Sequence, residues 1–234
     1  MLAMQMLPLT FPAVARQARD SLVQALADGH KRLAIDIQTF RKTGPAVFQP
    51  LLESLPSPSV AIFGTGNSGL GKIEWGEGPW VLLDSGEALP YLSRLRFEAM
   101  ILMDASSIEN EPMQKFWQAA DLRPLVMVSC WPEAPGVIGL GRGREKERTL
   151  LRKQMTVAYY LQAFRFQPLV IRRAYPGPWQ LWLTDSNQLQ LLAEQEEPFT
   201  PKTLQTLTRK QPSVSLEERF QAFWNGPRYF RAWE

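Results

Sequence analysis

One cysteine and one histidine among 234 residues leave little for thiol or metal chemistry. Cys130 has no second cysteine to pair with, and Cys130 with His30 falls short of the Cys/His set that zinc requires, so neither a disulfide nor a metal is expected. Long apolar runs are also missing. None approaches the ~20 residues needed to cross a bilayer, so no membrane span is expected. The opening MLAMQMLPLTFP has no basic segment ahead of its apolar residues, and Pro8 and Pro12 interrupt it. It reads as neither a secretory signal nor a transit peptide. The catalytic inventory is thin for the same reasons. His30 follows a helix stop and reads as a surface or capping residue, and Cys130 sits in an apolar strand as an inert core thiol. Internal repeats and low-complexity tracts are absent. The net charge is only +3, and the excess is local.

What is present centres on Pro124 to Trp182. PLVMVSC is a short Val-rich run bounded by prolines, the pattern of a strand buried on both faces in mid-sheet. Gly136, Gly139, Gly141 and Gly143 lead into REKERTLLRKQMTVAYYLQAF, where Leu151, Met155 and Tyr159 recur every fourth residue beside a stripe of Arg144, Arg148 and Arg152. That spacing predicts a helix with a basic face. Leu169 to Ala174 and Trp179 to Thr184 then form a hairpin through Pro176-Gly177-Pro178, whose prolines pre-set the turn.

Earlier in the chain, Phe11 to Leu26 has helical spacing, with Thr10 as N-cap, Pro12 in the first turn and Asp28-Gly29 as the stop. Leu33, Ile35 and Ile37 alternate with Ala34, Asp36 and Gln38, which predicts a half-buried strand near a sheet edge. Pro45 to Leu55 reads as a helix. Ser59 to Phe63, Trp80 to Asp84 and Ala99 to Asp104 read as strands, with a short helix around Leu89 to Leu95 and another at Asn110 to Ala120. The expected fold is α/β and three-layered: a mostly parallel sheet with helices on both faces, extended by a C-terminal antiparallel hairpin. Residues 1–193 form this domain. Residues 194–234 are a helical extension packed on the same body, with Thr200-Pro201 opening its first helix.

Two glycine-rich turns invite a phosphate. Gly64, Gly66 and Gly69 spell G-x-G-x-x-G after a strand, and Gly66, Gly71 and Lys72 spell G-x-x-x-x-G-K, with Asp84 where a ribose-binding acid would lie. Ile73 stands where a P-loop needs Ser or Thr, and Gly71, Gly76, Gly78 and Pro79 leave room for no more than about two helical turns. An ordinary strand-to-strand turn is the preferred reading, with nucleotide binding as the alternative. The second turn is better placed, between strand and helix, with Arg142, Arg144, Arg148 and Arg152 close by; it reads as a solvated basic face or as a site for an acidic partner or anionic membrane. Arg172, Arg173, Tyr175 and Trp179 at the hairpin corner read as packing or as an interface cluster. Nucleic acid ranks last, since no recognised motif for it occurs. Asp36, Asp84 and Asp104 end or interrupt strands, and strand order decides whether they meet.

The segments PLVMVSCWPEAPGVIGLGRGREKERTLLRKQMTVAYYLQAF and RRAYPGPWQLW resemble the domain of unknown function found in cyanobacteria and in chloroplast low-photosystem-II-accumulation proteins, and appended to some chloroplast adenylate kinases. The similarity runs from LPLTFPAVARQARDSLVQALADGHKRLAIDI to about Leu183. AYPGPWQ after YYL is its most specific piece. The resemblance implies assembly or accumulation of a photosynthetic membrane complex of photosystem II type, with no catalytic residue and no cofactor. Its implied partners are subunits or assembly intermediates of such a complex. The implied location is cyanobacterial cytoplasm, peripheral on the thylakoid.

Overall fold

The computed structural model describes residues 7–8, 10–37, 44–63, 78–103, 105, 108–128, 153–164, 169–185 and 188–208. The first helix, α1 (Phe11–Ala27), begins as its sequence dictates: the Thr10 hydroxyl accepts a hydrogen bond from the Ala13 amide, with a proline just inside the first turn. It ends at Asp28, and Gly29 takes φ +86°, the left-handed conformation that glycine adopts without strain. Val14, Ala18, Leu22 and Ala25 share its buried face.

The chain continues through β1 (Arg32–Ile37), α2 (Gly44–Glu53), β2 (Ser59–Phe63), β3 (Trp80–Asp84), α3 (Ser85–Tyr91), β4 (Ala99–Met103), α4 (Asn110–Ala120) and β5 (Leu125–Val128). It then enters β6 (Thr156–Ala163), β7 (Leu169–Ala174), β8 (Trp179–Asp185), β9 (Gln188–Gln195) and α5 (Pro201–Thr208). The nine strands form one sheet in the order β3-β2-β4-β5-β1-β6-β7-β8-β9. Every pairing from β3 through β6 is parallel, and those from β6 to β9 are antiparallel.

Alternation along the strands sends side chains to two cores. Leu33, Ile35, Ala61, Phe63, Ile101, Met103 and Val126 point to the face covered by α1 and α2. Ala34, Val60, Ile62, Met100, Leu102 and Met127 point to the opposite face, where Ala88 of α3 and Met113 and Phe116 of α4 meet them. On that same face Phe199 and Leu204 close a third cluster over Tyr160, Leu169, Ile171, Trp179 and Leu181 of the antiparallel wing. Burying those two side chains contributes about 1.5–3 kcal/mol each. The architecture is the three-layer α/β fold with an antiparallel extension that the sequence predicts.

Three local expectations need correction. β1 is the fifth of nine strands and not near an edge. Ala34 and Asp36, which mimic a solvent face, are 1% and 2% exposed, so the alternation was of polarity and not of burial. The basic helix does not extend through Tyr159, because Thr156–Ala163 is β6, with Ala158 to Gln162 all buried. A run apolar on both faces carries no period, so the fourth-residue recurrence of Met155 and Tyr159 was fortuitous there. Finally, α3 starts directly from Asp84, which caps it by accepting from the Gly86 amide at 2.8 Å, so the helix precedes the predicted Leu89 start.

Phe116 is fully buried between α4 and the sheet. Phe116→Ala should cost about 3–5 kcal/mol, a fall in Tm of roughly 6 to 20 °C. Val23→Ala on the outer face of α1 should stay within about 0.5 kcal/mol. Equal melting temperatures for the two variants would contradict this packing of α4.

Candidate functional site

In an open parallel sheet, ligands sit outside the carboxyl ends of the strands, where neighbouring connections diverge. Here the neighbours whose connections diverge are β2 and β4: the chain leaves β2 toward β3 and leaves β4 toward β5, in opposite directions along the sheet. Asp36 is buried near the carboxyl end of β1, with Tyr160 of β6 as its register partner. Asp84 lies four strands away, about 19 Å at the usual strand spacing. The two carboxylates therefore do not form an acid–base pair, and Asp84 is engaged as a helix cap. Gly64, Gly66, Gly69, Gly71 and Lys72 directly follow Phe63 in sequence and lie outside the described residues, as do Asp104, Cys130, Arg142, Arg144, Arg148 and Arg152. Among the described residues there is no group of three or more His, Cys, Asp or Glu that could hold a metal ion.

The hairpin corner is the predicted site that the structure describes in full. Arg172, Arg173, Tyr175 and Trp179 come together there but face different ways. Ala174 accepts from the Gly177 amide at 2.8 Å to close the turn, and the Tyr175 amide donates to the Ala158 carbonyl of β6 at 2.9 Å. The Tyr175–Pro176 peptide is cis. Pro176 is exposed, while Arg173, Tyr175, Gly177 and Pro178 are half-buried. Arg172 and Trp179 are only 2% and 3% exposed, which narrows the predicted contact surface to Arg173 and Tyr175 with the prolines.

Three side chains from distant positions hold the corner in place. The Tyr175 hydroxyl donates to Asp28 Oδ2 at 2.9 Å, and His30 Nε2 lies 3.0 Å from that hydroxyl. A phenol that gives its proton to a carboxylate must accept from the imidazole, so Nε2 carries the hydrogen. His30 Nδ1 then meets the Thr156 hydroxyl at 3.1 Å. The hydrogen bond to Asp28 raises the Tyr175 phenol above its ordinary value. His30 is thus a bridge between the end of α1, the start of β6 and the corner, a role its isolation in sequence could not reveal. The arrangement lies at the amino ends of β1 and β6, opposite the edge where α/β sheets do chemistry, and it serves to position the corner.

Behind the corner, Arg172 is buried in a polar cluster. Its Nε donates to Gln17 Oε1 at 3.1 Å and its Nη1 to Gln180 Oε1 at 2.7 Å. Gln180 also receives Trp182 Nε1 at 3.2 Å and donates to Glu194 at 2.6 Å, and the Tyr159 hydroxyl donates to Gln17 at 3.3 Å. The cluster joins α1 to β6, β7, β8 and β9. Sequence reading missed Gln17, Gln180 and Glu194, whose only signal was polar letters inside β-rich runs.

On the opposite face, Arg173 lies over the Trp179 ring, 5.5 Å from its centroid, and Trp179 packs against Tyr160 at 5.1 Å. Burial lowers the Arg173 guanidinium from its ordinary value, against the opposing charges of Glu196 and Glu197. Arg173 Nε and Trp179 Nε1 are both buried without an acceptor. Each such donor costs about 1–3 kcal/mol.

Burial raises the Tyr159 phenol above its ordinary value, outweighing the pull of Arg172 in the other direction. In the unfolded chain Tyr159 ionises near pH ~10. Above that pH the unfolded state has released a proton that the folded state keeps, so stability present below pH ~10 is lost as pH rises. Tyr159→Phe should flatten the fall of unfolding free energy above pH ~10 by up to one proton, about 1.4 kcal/mol per pH unit. Slopes identical to wild type would contradict the buried phenol.

A search of curated proteins found no match. A family model described as Domain of unknown function (DUF1995) matches residues 8–206, from the residues before α1 into α5. The chain belongs to this family of uncharacterised domains.

Proposed function

We propose that the protein is a non-catalytic assembly or accumulation factor for a photosynthetic membrane complex of photosystem II type, acting through protein and membrane-surface contacts. The observation that carries the reading is the corner. Pro176 is exposed and Arg173, Tyr175 and Pro178 are half-buried; the backbone bond to Ala158 and the side-chain bonds to Asp28 and His30 fix Tyr175, and the Trp179 ring supports Arg173, before any partner arrives. Pre-ordered aromatic and arginine side chains lose little entropy on binding, which is what an interface hot spot requires. The choice of client comes from the resemblance of YYL and AYPGPWQ to the low-photosystem-II-accumulation proteins. Among the described residues no helix is long and apolar enough to cross a membrane, so membrane contact would be peripheral. The basic residues Arg142, Arg144, Arg148 and Arg152 supply it in this reading, each adding about 1 kcal/mol near an anionic surface. Nucleotide binding through Gly64 to Lys72 is the alternative.

Two variants of the full chain test the two surfaces. Charge reversal at Arg144, Arg148 and Arg152 should reduce co-sedimentation with thylakoid membranes about tenfold or more at low salt. Arg173→Ala with Tyr175→Ala should reduce recovery of photosystem II assembly intermediates to a similar extent, while cooperative melting is retained. Membrane and client recovery equal to wild type in both would contradict the proposal.

A further inference from the structure

The two unpaired donors under the end of the sheet have a cover of unusual make-up. Between Glu196 and Leu207, only Phe199 and Leu204 are buried; Glu196, Glu197, Pro198, Thr200, Pro201, Lys202, Gln205 and Thr206 are exposed. Phe199 and Leu204 insert into the cluster of Tyr160, Leu169, Ile171, Trp179 and Leu181. Arg173 Nε and Trp179 Nε1, side by side at that cluster, gain no acceptor from the cover. Two apolar anchors thus hold a segment over two donors that it leaves unsatisfied, and the second effect opposes the first. Glu196 and Glu197 act on Arg173 from a distance, and neither forms an ion pair with it among the described residues.

We propose that residues 196–208 are a displaceable strap over a docking surface, and that the surface receives an acidic, aromatic-bearing segment of a partner protein. The strap itself indicates the occupant. Its Phe199 and Leu204 show that the surface accepts an aromatic and an aliphatic side chain five positions apart. The departure of Glu196 and Glu197 with the strap would leave Arg173 as an uncompensated cation, which favours carboxylates in the incoming segment. Backbone carbonyls of that segment could satisfy Arg173 Nε and Trp179 Nε1, which the strap does not. The inference shares Arg173 and the idea of surface contact with the proposed function, but its peptide test involves no thylakoid or client protein, so a failed thylakoid pull-down would leave it standing.

The probe is a fluorescein-labelled peptide with the sequence of residues 194–208, titrated by anisotropy against the full chain. A chain carrying Phe199→Ser and Leu204→Ser should bind it at least tenfold more tightly than wild type. Replacing Glu196 and Glu197 of the peptide with glutamine should lower the affinity severalfold at low salt, through the lost attraction to Arg173, and a peptide with serine at its own Phe and Leu positions should not bind. Absence of binding to the double variant, while it still melts cooperatively, would overturn the proposal; so would an affinity at low salt indifferent to the two glutamine replacements. Should the double variant fail to fold, hydrogen exchange of the wild-type chain decides. Excess peptide should speed exchange of the strap's own amides several-fold without changing those of β7 and β8, and unchanged strap rates would overturn it.

Discussion

The parallel pairing of β1 with β6 is the contact on which the rest of the structure depends. β1 joins β5 on one side and β6 on the other, so among the described residues the strand ladder of the parallel half continues into the antiparallel wing through this strand. Its side chains enter both main cores: Leu33 and Ile35 pack beneath α1 and α2, and Ala34 faces the α3 and α4 side. At its foot, Arg32 donates to the carbonyls of Arg123, at 2.8 Å, and Asp121, and stacks over Trp117, tying the turn after α4 to the sheet. A strand so placed cannot shift by one residue without exchanging the two cores.

The wing is held by polar chemistry as much as by apolar burial. Gln17 of α1 accepts from both Tyr159 and Arg172, so one helix side chain joins β6 and β7. A buried guanidinium is costly unless its donors are met, and a satisfied one fixes the register and direction of the elements around it. This specificity extends to the surface, because the same wing carries the corner that Asp28 and His30 orient. The fixed geometry of the corner is therefore an outcome of how α1, β6 and the hairpin are joined.

Much of the fold was legible in the sequence, and the failures share a cause. Thr10 with Pro12, Asp28 with Gly29, and Thr200 with Pro201 marked helix ends by chemistry local to a few residues, and the structure uses each of them. Pro176-Gly177-Pro178 marked the hairpin for the same reason. Where polarity and burial part company, the reading went astray. Asp36 is a charged residue in the interior, which made a central strand look like an edge. Arg172 and Trp179 sit in a motif that looks like a surface cluster, yet both faces of the sheet are covered there: Arg172 meets Gln17 of α1 on one, and Trp179 packs with Phe199 and Leu204 on the other. His30 was invisible as a bridge because its partners, Thr156 and Tyr175, lie 126 and 145 residues away. Long-range hydrogen bonds leave no periodic trace in a sequence.

The proposed function places the protein's action at a pre-ordered corner and not in chemistry at the carboxyl edge of its sheet. Site-specific photocrosslinking addresses it directly: a benzoylphenylalanine at position 176, at the exposed tip of the corner, irradiated in a photosynthetic host. A discrete adduct with a protein of a photosystem assembly intermediate is expected, and it should be lost when Arg173 and Tyr175 are replaced. Absence of any adduct from position 176, together with a defined adduct from a probe near Asp36, would contradict the proposed function and move the functional surface to the carboxyl edge of the parallel strands.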